Sequence, residues 1–147
     1  ADFIFELIDQ VEWPAANNGG EIKICVLGKS PLLESLQKLA DSKSTPNRKI
    51  TVSQITLGDD ISGCHILFIA STDLSDLAAV LKKVKDQATL TVSDIKGYVR
   101  YGVMVNITDT DSSDKKEPVI EINKMSAREA GLKLSEALIK KAFKTYG

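Results

Sequence analysis

Gly63-Cys64-His65-Ile66-Leu67-Phe68-Ile69-Ala70 is the stretch on which the fold turns. Ile66 to Ala70 are apolar without a break, and turn chemistry stands on both sides, Gly63 before the run and Ser71-Thr72-Asp73 after it. A short run without period-2 alternation is the pattern of a strand covered on both faces. The stretch therefore predicts the central strand of a parallel sheet.

The flanking sequence supplies neighbours for such a strand. Ile22 to Leu27 reads as a strand that Gly28 closes. Ser30-Pro31 opens a helix, because Ser30 can accept an orphan N–H and Pro31 suits a first turn. Leu32, Leu33, Leu36, Leu39 and Ala40 make its apolar stripe. Lys49 to Gln54 alternates, with Ile50 and Val52 on one face, as an edge strand does. Asp73 stands ready to cap a helix with the stripe Leu74, Leu77, Ala78, Leu81 and Val84. Ala88 to Val92 is a further strand, and Asp94 to Gly97 is a turn. Val103 to Thr108 and Pro118 to Asn123 are strands joined by the polar segment Asp109 to Glu117. That segment is too short for a crossover helix, so an antiparallel hairpin is expected.

Before the sheet, Ile4, Leu7, Ile8 and Val11 are spaced for a helix over Phe3 to Glu12. It ends near Trp13, since Pro14 disfavours helical geometry in the residue before it. After the sheet, Ser126-Ala127-Arg128-Glu129 matches a capping box. Gly131 then stops a short helix, and Ser135 caps a second one that runs to Lys144. One continuous helix is the alternative, because Ala127, Ala130, Leu134, Ala137, Leu138 and Ala142 keep a 3/4 spacing. The order α-β-α-β-β-α-β-β-β-α predicts one α/β domain over residues 1–147. Its expected core is a three-layer, mostly parallel, doubly wound sheet of the Rossmann or flavodoxin-like type, with a C-terminal antiparallel hairpin.

Bulk properties exclude several classes. With 147 residues the chain buries roughly 70 % of its unfolded surface, so neither metal nor staple is required. A net charge of −1 lacks the basic field that a nucleic-acid binder needs. No apolar run approaches the length of a membrane span, so no membrane insertion is expected. Ala1-Asp2 is the kind of start that cleavage of a signal peptide leaves.

Candidate chemistry is sparse. Gly28-Lys29-Ser30 follows a strand and opens a helix, as the end of a phosphate loop does. A phosphate loop also needs a Gly at position 23, and Lys23 stands there inside the strand. What remains is a strand-to-helix turn able to attract an anion weakly. A receiver domain needs a phosphorylatable Asp at the end of the central strand; here that end is Ile69-Ala70-Ser71. His65 is the only histidine and cannot build a multi-His metal site alone, so no metal or other cofactor is expected. Its place at the start of a buried strand suits a structural role. Tyr98-Val99-Arg100-Tyr101, between Gly97 and Gly102, is either a ligand lip or partner surface or a structured loop with half-exposed tyrosines. Cys25 and Cys64 lie in neighbouring strands, as buried thiols or as a disulfide. A bridge requires Cα atoms within roughly 7 Å and a shared face.

Taken together, several blocks resemble the YfiR-like family of bacterial periplasmic proteins. They are Phe5-Glu6 through Val11-Glu12-Trp13-Pro14, Ile24 to Gly28, Gly63 to Ile69, Leu90 to Asp94, Gly97-Tyr98 with Gly102, and Glu121-Ile122-Asn123. Ala127-Arg128, Ala130-Gly131-Leu132 and Ser135 to Leu138 complete the set. The resemblance implies an exported, non-enzymatic α/β protein that forms homodimers. It further implies repression of a membrane-bound diguanylate cyclase through binding of its periplasmic sensor part. Release under envelope or redox stress would then raise cyclic di-GMP and favour biofilm formation. The family's cysteine pair at the places of Cys25 and Cys64 implies a disulfide between them. Some members carry a second pair, where this chain has Val99 and Asn106, and a second Gly is usual where Tyr101 stands.

The leading expectation is accordingly a periplasmic signal-transduction repressor acting by protein–protein contact. Trp13, Tyr98, Arg100, Tyr101 and Arg128 are the candidates for partner or ligand contact. The rival is a small-molecule sensor with its ligand at the C-terminal ends of the parallel strands, near Gly28, Lys29, Ser30, Ser71 and Thr72.

Overall fold

A computed structural model of the chain describes residues 7–8, 10–12, 21–28, 32–43, 49–56, 64–69, 74–84, 89–95, 97–108, 119–142 and 144–146. In chain order its elements are β1 (Val11–Glu12), β2 (Glu21–Leu27), α1 (Leu32–Lys43), β3 (Lys49–Ile55), β4 (Ile66–Ile69), α2 (Leu74–Val84) and β5 (Leu90–Ser93). A 3-10 turn (Tyr98–Tyr101) follows, then β6 (Val105–Thr108), β7 (Val119–Asn123), α3 (Lys124–Glu129), β8 (Lys133–Leu134), α4 (Glu136–Lys141) and β9 (Lys144–Tyr146).

The main sheet has the order β3-β2-β4-β5-β6-β7-β9. Its first five strands are parallel, β6 and β7 form the expected antiparallel pair, and β9 lies parallel to β7. The run of five parallel strands is the 2-1-3-4-5 order of flavodoxin-like folds. Ile66–Ile69 sits inside it, with Ile24 opposite Ile66 on one side and Val92 opposite Phe68 on the other. All four residues of β4 are buried, which is why the run carries no polar alternation. Lys49–Ile55 is an edge strand, as its alternation requires.

Alternate residues of the sheet feed two separate cores. Ile24, Val26, Ile66, Phe68 and Val92 pack with Leu36 and Ala40 of α1 and with Leu7 and Ile8. Cys25, Leu27, Leu67 and Ile69 pack with Leu77, Val80 and Val84 of α2. Helices on opposite faces make the three layers, and burying each large aliphatic side chain contributes about 1.5–3 kcal/mol. Cys25 and Cys64 form a disulfide on the α2 face, with their Cα atoms 6.1 Å apart.

Several sequence expectations need correction. The α2 stripe runs through Leu77, Val80 and Val84, while Ala78 is exposed. Residues Leu7, Ile8 and Gln10 are helical, but Val11–Glu12 is a strand, because it pairs antiparallel with Leu134 and Lys133. The helix assigned to the Ser126 capping box begins earlier, at Lys124. Its cap is Asn123, whose Oδ1 accepts the Ser126 N–H at 3.0 Å. Gly131 does stop that helix, at φ 79°, and Ser135 caps α4 by accepting the Leu138 N–H at 3.1 Å. The helix from Ser135 does not reach Lys144, since Lys144–Tyr146 leaves it to pair with β7. Asp73, Ser71, Thr72 and the Asp109–Glu117 segment lie outside the described residues.

Candidate functional site

Parallel strands must be joined by a crossover. Between β5 and β6 that crossover contains no α-helix. The chain crosses the α2 face of the sheet as the Tyr98–Tyr101 turn and re-enters at Val103. Tyr98 is its anchor: the ring is only 6 % exposed and belongs to the core beneath α2. Burial removes Tyr98 from the contact surface for which the sequence nominated it. Gly102 ends the turn at φ 122°, a backbone region that L side chains rarely adopt, and an added Cβ would stand 3.4 Å from Leu81 Cδ1.

With Tyr98 inside, the neighbouring side chains go outward. Arg100 is exposed and hydrogen-bonds the Tyr146 side chain. That bond is the largest cause holding its guanidinium above the ordinary arginine value; burial opposes it, and the Glu121 carboxylate adds a smaller raising effect. Tyr146 Oη in turn donates to Glu121 Oε2 at 3.2 Å, and the Lys144 ammonium lies 5.1 Å from the Tyr146 ring centre. Arg100 thus fastens the crossover to the β7–β9 edge.

Tyr101, 59 % exposed, walls a cleft of about 300 Å³ at the N-terminal ends of the parallel strands. Buried Val84 and Met104, with half-buried Leu81, make its apolar lining, and Ser126 and Glu129 of α3 stand on the other side. A second cleft, about 320 Å³, lies on the opposite flank of α3. Its apolar lining is Ala127, Leu132, Leu134 and Ile139, and three cations edge it: Lys124, Arg128 and Lys133. At roughly 100° per residue, Met125 falls on the outward ridge of α3 between the two clefts. It is 54 % exposed; Met125 and Tyr101 are the exposed large hydrophobic residues among those described. The result is one surface with two apolar knobs, two clefts and a basic margin. It presents Tyr101 and Arg128, whereas Arg100 sits apart on the β9 side.

Other nominated residues fall elsewhere. Trp13, Lys29 and Ser30 lie outside the described residues. The N–H of Gly28 already donates to Ile55 O at 3.1 Å, and its carbonyl accepts from Gln54 Nε2 at 2.9 Å. That turn has no Gly28 amide to offer an anion. Val99 and Asn106 are both buried, and side-chain amides tie the segment down: Asn106 Nδ2 donates to Ile95 O and Asn123 Nδ2 to Val99 O. Sequence reasoning missed Met125, Lys124 and Lys133. A findable signal existed, since Lys124 and Arg128 are spaced i,i+4 on one helical stripe.

Among the described residues no group of His, Cys, Asp or Glu is placed to hold a metal ion, and no helix is long and apolar enough to cross a membrane. Fold and surface together define a flavodoxin-like α/β domain with two clefts beside α3. The family model described as DUF4154, YfiR/HmsC-like, matches residues 1–142, and the chain belongs to that family. The family is regulatory and non-catalytic, and it is periplasmic. No curated protein matches the chain.

Proposed function

We propose that this chain is a periplasmic regulatory binding protein that restrains a membrane-bound diguanylate cyclase by contact with the cyclase's periplasmic sensor part. The family match over residues 1–142 is the observation that carries this reading. The α3 surface supports a contact mechanism, since exposed Tyr101 and Met125 flank clefts that can accept side chains of another protein. Repression by occupancy keeps cyclic di-GMP low, and release of the protein raises it and promotes biofilm formation. The working form is a homodimer of the α/β domain, made in the cytoplasm and exported by a signal peptide that is then removed.

The reading is tested by expressing the protein together with a diguanylate cyclase of its own bacterium. Cellular cyclic di-GMP is expected to fall, and affinity-tagged protein is expected to recover the cyclase from the membrane fraction. Recovery of no cyclase would sink the proposal.

A further inference from the structure

We propose that the basic cleft on α3 is the seat of an acidic polypeptide segment with an apolar anchor, contributed by the partner protein. The inference deepens the reading above and rests on it for the partner's identity, though not for the chemistry of the cleft. Three observations carry it. The cleft has an apolar interior built from α3, β8 and α4, with Ala127 and Leu132 buried at its base. The charged residues lining it are Lys124, Arg128 and Lys133, all cations, in a chain whose net charge is −1. Finally, Lys124 and Arg128 repeat at i,i+4 on one stripe of a six-residue helix. Like charges so placed disfavour the helix, so their value lies in what they face.

An apolar interior with a one-signed margin fits a ligand that is apolar at its centre and negatively charged around it. A lipid bilayer fits less well. Membrane-surface binding uses about four to eight clustered cations on a face that can lie flat against headgroups; here three surround a concavity. Lys124 and Arg128 share one stripe of α3 beside the cleft, so they carry the main part of the recognition.

The experiment uses the whole chain and two fluorescein-labelled peptides, one of alternating Glu and Leu character and its Lys and Leu counterpart, read by fluorescence anisotropy. The acidic peptide is expected to bind, and the basic one not to. Lys124→Glu with Arg128→Glu is expected to weaken binding by about tenfold or more, and raising salt from about 50 to about 500 mM is expected to do the same. A glutamate at Lys124 suits a helix N-terminus, and Lys124→Gln with Arg128→Gln gives an independent variant should the reversal disturb folding. Equal binding of both peptides, binding unchanged in both variants, or binding to phosphatidylglycerol vesicles without binding to the acidic peptide would overturn the proposal. A parallel pull-down separates the two readings. Cyclase recovered equally by the double variant overturns the cleft and leaves the repressor function standing. Acidic-peptide binding with no cyclase recovered by the wild type supports the cleft and removes the function.

Discussion

Thr91 carries a hydroxyl into the fully buried interior of β5, where Oγ1 accepts the Met104 N–H at 2.9 Å. Thr91→Val keeps the shape and strands that N–H. We expect a loss of about 1–3 kcal/mol, seen as a lower urea midpoint with an unchanged slope. His65 works in the same way. Its Nδ1 accepts the Lys23 N–H at 3.1 Å, continuing the β2–β4 ladder where Lys23 O accepts the His65 N–H at 2.9 Å. A structural role for His65 was legible from its position at the start of a buried strand. Its use as an acceptor was not, because that depends on a bend which no local pattern announces. Tyr98 misled for a related reason: between two glycines, an aromatic that anchors a turn and one that greets a partner look alike.

Among the elements, Asn123 joins two that differ in legibility. Its Oδ1 caps α3, and its Nδ2 holds the Val99 carbonyl of the 3-10 turn at 3.0 Å. Asn123→Ala should cost about 1–3 kcal/mol through lost cap and stranded carbonyl. Asn123→Asp should keep the cap and lose only the tie to the turn. Hydrogen exchange at residues 98–102 should therefore quicken in both variants, and at 126–127 only in the alanine variant. The long periodic helices and the hydrophobic strands could be read from sequence because burial imposes their spacing. Strands of two or three residues, such as β1, β8 and β9, carry no period at all. Each exists only because a distant partner is present: Val11 for Leu134, Lys144 for Glu121. The Ser126 capping box was a true local signal outcompeted by Asn123, which sits where β7 ends and the helix must begin.

Over the whole molecule, strand order followed from the central run and its neighbours, whereas the binding surface did not. The cleft beside Tyr101 draws on α2, the 3-10 turn and α3, which only the crossover brings together. Arg128 was among the candidates for partner or ligand contact, yet its companions Lys124 and Lys133 acquire meaning through the shared apolar interior. The disulfide acts at this scale as well. It ties β2 to the chain entering β4 across a sequence separation of 39, enclosing α1 and β3. Reduction is expected to remove up to about 4 kcal/mol of stability, lowering Tm in a thermal melt run with and without dithiothreitol. Cys25→Ser with Cys64→Ser should melt at the lower temperature in both conditions.

That bridge ties the stability of the domain to the redox state of its surroundings. A domain's net stability is about 5–15 kcal/mol, so the linkage accounts for a large share of it. In reducing surroundings the thiols stay apart, and the chain forgoes that share of its stability. The covalent lock closes only where the surroundings oxidise, so the Cys25–Cys64 bond makes the compartment itself a condition for reaching full stability.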